Sequence, residues 1–327
     1  MTDSFYRKLA NMTLLLCLFI VVLGAYVRLS DAGLGCPDWP GCYGRILVPE
    51  ISQADAVNAA YPERPLEVDK AWKEMIHRYF ASGLGLAIIA LAVFGWRRGL
   101  PRSMLAGTVA LVIFQGILGM WTVTWQLKPL AVTAHLLGGM ATLGMLVWLN
   151  LLARPRPPLR GLHALRGLAL FALLVLVGQI FLGGWTSSNY AALACTDFPT
   201  CHGQWWPDDA RFGDAFVLWH GLGINFEYGI LDSPARTAIH LSHRVGAIVA
   251  TLTLLLLAWR ILRATAARAL GGLLVLALLA QVSLGIASVK LSLPLAVAAA
   301  HNAGAALLVI ILVVINVQAR RERAPVR

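Results

Sequence analysis

Four histidines carry the clearest chemical signal in this 327-residue chain. His77 and His135 lie 58 residues apart, and His243 and His301 repeat the interval. Imidazole is a ligand for iron, copper and zinc, and one imidazole from each of two helices grips a metal centre from both sides. Glu74 stands three residues before His77, so the two share a helical face. A carboxylate there can accept a proton or position water, as a general base does. An acid in a helix's first turn is also favoured simply by the macrodipole. The second pair reads His240-Leu-Ser-His243 and has no carboxylate at that place.

The elements that must carry these residues are membrane helices. The chain is 58% hydrophobic and 13% charged, with a mean hydropathy of +0.71. About 20 apolar residues cross a bilayer core, and eight stretches qualify, near 11–27, 76–96, 104–125, 132–152, 167–186, 239–259, 269–289 and 296–318. The expected fold is therefore an all-α membrane protein of eight transmembrane helices. Charge sets its orientation. With the N-terminus inside, one side holds Arg7, Lys8, Arg97, Arg98, Arg102, Arg154, Arg156, Arg160, Arg166, Arg260, Arg263, Arg268, Arg320, Arg321, Arg323 and Arg327, against only Asp3 and Glu322. The other side carries the remaining 11 basic residues and 14 acids. This bias predicts an N-in/C-in topology, and it accounts for the net charge of +11 without a nucleic-acid partner. Tyr26, Val27 and Arg28 occupy the place of a small-residue cleavage site, so the first segment reads as a retained span.

The sequence is also written twice. Cys36-Pro-Asp-Trp-Pro-Gly-Cys42 returns as Cys195-Thr-Asp-Phe-Pro-Thr-Cys201, and His77-Arg78 returns as His243-Arg244. Gln115 precedes His135 by 20 residues, and Gln281 precedes His301 by the same number. The repeat predicts two pseudo-symmetric four-helix bundles: residues 1–153, a cytoplasmic linker at 154–160, and residues 161–327. A finer repeat places Leu-Gly at the outer end of each odd span: Leu23-Gly24, Leu118-Gly119, Leu182-Gly183 and Leu284-Gly285.

Counting at 1.5 Å per residue from the arginine at the foot of each helix puts the four imidazoles roughly 26–30 Å up. The four glycines fall roughly 24–26 Å up, in nearly the same layer. Glycine lets neighbouring backbones approach closely, as a flat macrocycle between helices requires. We therefore expect two bis-histidine heme sites, His77 with His135 and His243 with His301. Arg78 and Arg244 are candidate partners for heme propionates, or interfacial arginines extending toward water. Gln115, Gln179 and Gln281 suit hydrogen bonds between helices. Trp39, Trp72, Trp121, Trp125, Trp185, Trp205, Trp206 and Trp219 mark the outer interface.

Cys17 lies inside the first span and reads as a packing residue. The other four cysteines fall in the two long outer loops, where an oxidising exterior permits disulfides Cys36–Cys42 and Cys195–Cys201. A short exposed disulfide can also be redox-active. His163, His202 and His220 fall in loops and read as solvated, and His240 is a weaker candidate for contact with the second heme.

Taken together, the duplicated halves, Glu74-Met-Ile-His77-Arg78 opening the second span, a histidine opening the fourth, sixth and eighth, and the paired outer-loop cysteines resemble the heme A synthase family over essentially the whole chain. The resemblance implies oxidation of a ring methyl of heme O to the formyl group of heme A. Successive hydroxylations would use water, in support of terminal oxidase assembly. It implies that Glu74, His77 and His135 serve the substrate heme, Glu74 as the catalytic group, and that His243 and His301 ligate a heme b cofactor through which electrons leave. Implied partners are heme O synthase, oxidase assembly factors, a quinone or other electron acceptor, and a second copy of the chain. The implied location is the bacterial inner membrane, with the Cys loops on the periplasmic side. Two rivals from other classes are a non-catalytic diheme b-type electron-transfer cytochrome and a heme carrier. Heme O synthesis itself is disfavoured, because no paired Asp-rich motif for Mg-diphosphate is present.

Overall fold

A computed structural model describes residues 3–154, 159–264 and 266–321. Most of the 154–160 linker, including Arg156, lies outside the described residues, as do Glu322, Arg323 and Arg327. The described elements are helices α1 (Asp3–Leu29), α2 (Ala54–Ala60), α3 (Val68–Arg97), α4 (Arg102–Thr124), α5 (Pro129–Leu152), α6 (Arg166–Ser188), α7 (Phe212–Ala215), α8 (Ser233–Ala264), α9 (Arg268–Lys290) and α10 (Leu295–Arg321), with two short 3-10 turns. Eight of these are long and apolar enough to cross a membrane. The chain is an all-helical, multi-pass membrane protein.

Helices α3 and α8 begin earlier than hydropathy suggests, at Val68 and Ser233. Their first two turns carry charge or polarity (Asp69, Lys70, Lys73 and Glu74 in α3), so an apolar count misses them, although the backbone hydrogen bonds run on. His77 and His243 therefore sit two to three turns inside their helices rather than at the start.

Within the chain α1 packs on α3 and α5, and α4 closes the ring between α3 and α5. The second set repeats this, with α6 on α8 and α10, and α9 between α8 and α10. The two sets meet where α5 and α10 face each other and lean on α6 and α1 respectively. One continuous apolar core runs through both, from Tyr6 and Leu91 to Leu143, Leu176, Leu257 and Leu312. Within the second set the amide of Asn316 in α10 ties α6 by donating to the Ala169 carbonyl at 2.9 Å.

Four helices end alike. Beyond α1, α4, α6 and α9 the chain passes through left-handed residues, Asp31, Gln126–Leu127, Tyr190 and Ser292–Leu293. The amides of Ala32, Leu127, Ala191 and Leu293 then bond back to the carbonyls of Val27, Thr122, Thr186 and Ser288. These six-to-one bonds satisfy carbonyls that a helix end leaves open. The same stop is made four times without glycine, at the outer end of each glycine-bearing helix that faces a histidine.

Candidate functional site

Each histidine is seated against a glycine of the preceding long helix. A Cβ placed on Gly24 would lie 3.0 Å from Cε1 of His77. The corresponding distances are 3.3 Å for Gly119 and His135, 3.2 Å for Gly183 and His243, and 3.0 Å for Gly285 and His301. The glycines are therefore the floor on which four imidazoles rest. In the first half the two imidazoles stand on α3 and α5, and in the second on α8 and α10.

Three of the four seats carry a further lock. Gln115 stands four residues before Gly119 and donates from Nε2 to the His135 carbonyl at 3.0 Å. Gln179 stands four before Gly183 and meets the His243 carbonyl at 3.0 Å and Nδ1 at 3.1 Å. Gln281 stands four before Gly285 and approaches Nε2 of His301 at 3.4 Å. The Oε1 of each lies over a glycine three residues past the histidine, where a Cβ would sit 2.2–2.3 Å away, at Gly138, Gly246 and Gly304. So the glutamines do bridge helices, and they bridge at the turns that carry the imidazoles.

The disulfide loops cap this layer. Cys36 is bonded to Cys42 and Cys195 to Cys201, each with Cα atoms 4.8 Å apart. Asp38 accepts the amides of Tyr43 and Gly44, both at 2.7 Å. Asp197 accepts those of His202 and Gly203 at 2.7 and 3.0 Å. A hydrogen bond from the Thr200 hydroxyl, with those two amides, holds the Asp197 carboxyl well below the usual carboxylate range. Tyr43 and His202, both at φ 53°, turn the chain through the left-handed region so that these amides point inward.

Arg78 and Arg244 bind these loops to the helices. Arg78 donates to the carbonyls of Asp38 at 2.9 Å and Gly41 at 2.5 Å. Arg244 donates to those of Asp197 at 2.8 Å and Thr200 at 2.7 Å. Much of each guanidinium fork is thus already occupied by protein carbonyls.

Glu74 and His240 turn out to be equivalents. Glu74 is 4% exposed; its Oε2 accepts the Cys36 amide at 2.9 Å and its Oε1 pairs with Arg78 at 2.5 Å. His240, also 4% exposed, accepts the Cys195 amide on Nδ1 at 3.2 Å. Both residues latch the first cysteine of the loop to the helix beneath it. Register alone could have shown this, since both stand three before the histidine. The chemical difference is that only Glu74 is a carboxylate. His163, His202 and His220 take no part in the layer; His163 contacts the Ala319 carbonyl at 3.2 Å, and His202 the Ala194 carbonyl at 2.8 Å.

Sequence reasoning missed one feature entirely. Lys128, only 1% exposed, stands between α4 and α5 with its ammonium 3.4 Å from the Trp219 ring centroid and bonded to the Gly221 carbonyl. Nearby, the Phe226 amide donates to the Gln126 carbonyl at 3.0 Å and Arg64 pairs with Glu227 at 2.5 Å. The second outer loop thus reaches across the top of the first half.

The layer suits heme. Among the described residues no three or more His, Cys, Asp or Glu side chains converge as a metal site. The Nδ1 atoms of His77, His135 and His301 are buried without a hydrogen-bond partner, an expensive state for polar atoms unless a ligand reorganises them. The glycine seats spare the room that side chains would fill.

Fold and site together define a polytopic membrane protein with two matched bis-imidazole seats under disulfide-bonded loops. Comparison with known proteins places it. Residues 7–313 match the model of the cytochrome oxidase assembly protein family, COX15-CtaA. The chain is 49% identical over 316 residues to a heme A synthase of Shewanella oneidensis, covering 94% of each chain. It is 29% identical to a heme A synthase of Rhizorhabdus wittichii, covering 91% of this chain and 90% of that one. A heme A synthase of Shouchella clausii is 26% identical, covering 86% of each. The chain belongs to the heme A synthase family.

Proposed function

We propose that this protein converts heme O to heme A, with substrate held in the first half by His77 and His135. The observation that carries the assignment of the halves is the latch position. At that position the two halves place different buried groups, a carboxylate at Glu74 against an imidazole at His240.

The overall change takes a ring methyl and one water to a formyl group, releasing four protons and four electrons. Water supplies the oxygen, in successive hydroxylations. An ionised carboxylate offers about four lone-pair sites, and the Cys36 amide and Arg78 use two. Glu74 can thus take a proton from water or from the methyl carbon without releasing the loop. Arg78 keeps that carboxylate in place, and its remaining N–H groups, like those of Arg244, are candidates for propionates. His243 and His301 would hold heme b, which supplies reversible one-electron chemistry when bound. The electrons pass to an external acceptor of quinone class or another oxidant. The excess of arginine at the foot of the helices orients both termini to the cytoplasm of a bacterial inner membrane, with the disulfide loops on the periplasmic side. Heme O synthase, oxidase assembly factors and a second copy of the chain are the proposed partners.

The experiment is co-expression with a heme O producer in a host lacking heme A, followed by pigment extraction and mass analysis. Heme A or its hydroxymethyl intermediate should appear with the natural protein. It should vanish in Glu74→His, which restores the amide latch as the second half makes it but removes the carboxylate. Full conversion by Glu74→His or Glu74→Gln would remove the catalytic role from Glu74. Bound heme with unaltered heme O in the natural protein would instead establish a diheme electron carrier.

A further inference from the structure

The four imidazole seats are alike in their glycine floors, and unlike in one respect. His135, His243 and His301 each sit on a turn that a glutamine of the neighbouring helix reaches. His77 has no such tie. The positions that carry glutamine and glycine in the other three seats are here Ile20, four before Gly24, and Phe80, three after His77. Both members of the lock are replaced together. An isoleucine offers no donor, and a phenylalanine puts a Cβ where the other three seats have a bare glycine. In its place Phe80, 43% exposed, makes an edge contact with Phe19 at 5.1 Å between ring centroids, a non-directional apolar seam between α1 and α3.

Helix α3 is also softer below its histidine than its three counterparts. Gly83 and Gly85 follow His77 within about two turns, and a Cβ on either would meet nothing within 4 Å. Glycine inside a helix costs roughly 1 kcal/mol relative to alanine, and here no close packing calls for it. By contrast Gly138, Gly139 and Gly144 of α5, Gly246 of α8 and Gly304 of α10 all face neighbours within 4 Å. The absent lock and the unpacked glycines fall on the same helix, around the same residue.

We infer that His77 is the releasable one among the four imidazoles, and that α3 moving against α1 is the motion by which heme enters and leaves the first half. His135 is the fixed ligand of that half, and His243 and His301 hold a heme that stays. This extends the proposed function, on which it rests, by saying which ligand a substrate heme trades for passage. A substrate must leave once altered, whereas an electron-transfer heme gains nothing by leaving.

The test uses carbon monoxide as the probe, added to dithionite-reduced, heme-loaded full-length protein in detergent and followed by visible spectroscopy. Carbon monoxide can bind only where an imidazole gives way. It should react with the first-half heme, assigned by loss of that signal in His77→Ala and His135→Ala, and leave the second-half heme six-coordinate. Installing the lock as Ile20→Gln with Phe80→Gly should slow the reaction about fivefold, the effect of roughly one hydrogen bond. Conversely Gln179→Leu should let the second-half heme react about fivefold faster, which tests the lock even where the Phe80→Gly variant fails to fold. Equal reaction in both halves, an unslowed reaction in a folded variant carrying Ile20→Gln and Phe80→Gly, or a Gln179→Leu protein no more reactive than the natural one would overturn the inference. Protein that holds no heme, or whose heme spectrum is untouched by both His77→Ala and His135→Ala, would overturn the heme assignment itself.

Discussion

Two glycines on one helix offer a controlled measure of how much the imidazole floor matters. Gly183 and Gly178 both lie in α6, but a Cβ at Gly183 would meet Cε1 of His243 at 3.2 Å, whereas one at Gly178 meets nothing within 4 Å. Carbon atoms prefer roughly 3.5–4.0 Å, so Gly183→Ala forces the ring back by about 0.3–0.8 Å. Both substitutions gain up to about 1 kcal/mol of helix propensity. Only Gly183→Ala meets the overpacking cost of about 1–3 kcal/mol. The difference between the variants therefore isolates the seat. Heme retention should fall about five- to thirtyfold in Gly183→Ala, as 1–2 kcal/mol requires, and remain unchanged or improve in Gly178→Ala. The readouts are the bound heme-to-protein ratio after dilution and the thermal midpoint in one detergent. If Gly183→Ala kept heme as tightly as Gly178→Ala, the glycines would be packing residues with no bearing on the ring, and the floor would be abandoned.

Other consequences are open to direct measurement. Trp219→Ala strips the ring from the Lys128 ammonium and should destabilise the cap by about 2 kcal/mol, read as faster protease cleavage within residues 217–226; unaltered cleavage would refute the cap. Arg78→Lys replaces a planar fork by a single ammonium that cannot serve Glu74 and the loop carbonyls at once, so Cys36–Cys42 should be reduced several-fold faster by a phosphine while Cys195–Cys201 is unaffected. Asp197 has a folded pKa depressed below its unfolded value, so its stabilisation is present above the ordinary carboxylate pKa and is lost only as pH falls through the lower, folded value. The His202 and Gly203 amides should accordingly keep their hydrogen-exchange protection from pH 7 through the usual carboxylate range; loss of protection near pH 4 would refute the tie.

The eight spans and the imidazole layer were legible because both are written in repeats: a run of apolar residues long enough for a bilayer, and one histidine spacing used twice. The extra turns of α3 and α8 were not, because helix continues where hydropathy stops. The register of Glu74 with His240 was legible, both standing three before a histidine, but their common role was not. What the two halves share is an acceptor atom under the amide of the first cysteine, and an oxygen and a nitrogen belong to residues that no comparison of types would align. Arg78 and Arg244 were read as partners for heme propionates or as interfacial arginines, because a sequence does not say that loop carbonyls take up their donors. Contacts such as Lys128 with Trp219 join irregular segments far apart in the chain, and irregular segments carry no period from which a partner could be read.

That last contact bears on how the protein is made. A chain emerges from its N-terminus at some 5–20 residues per second, so the first half is complete in length while Trp219, Phe226 and Glu227 have yet to be synthesised. For several seconds on that scale the Lys128 ammonium has neither the ring nor the carbonyl that later cover it. The first half carries its own Cys36–Cys42 loop over the layer, and residues of the second outer loop add a further cover at Lys128. A chain halted before residue 219 would therefore leave Lys128 uncovered while already holding both cysteines of its own Cys36–Cys42 loop.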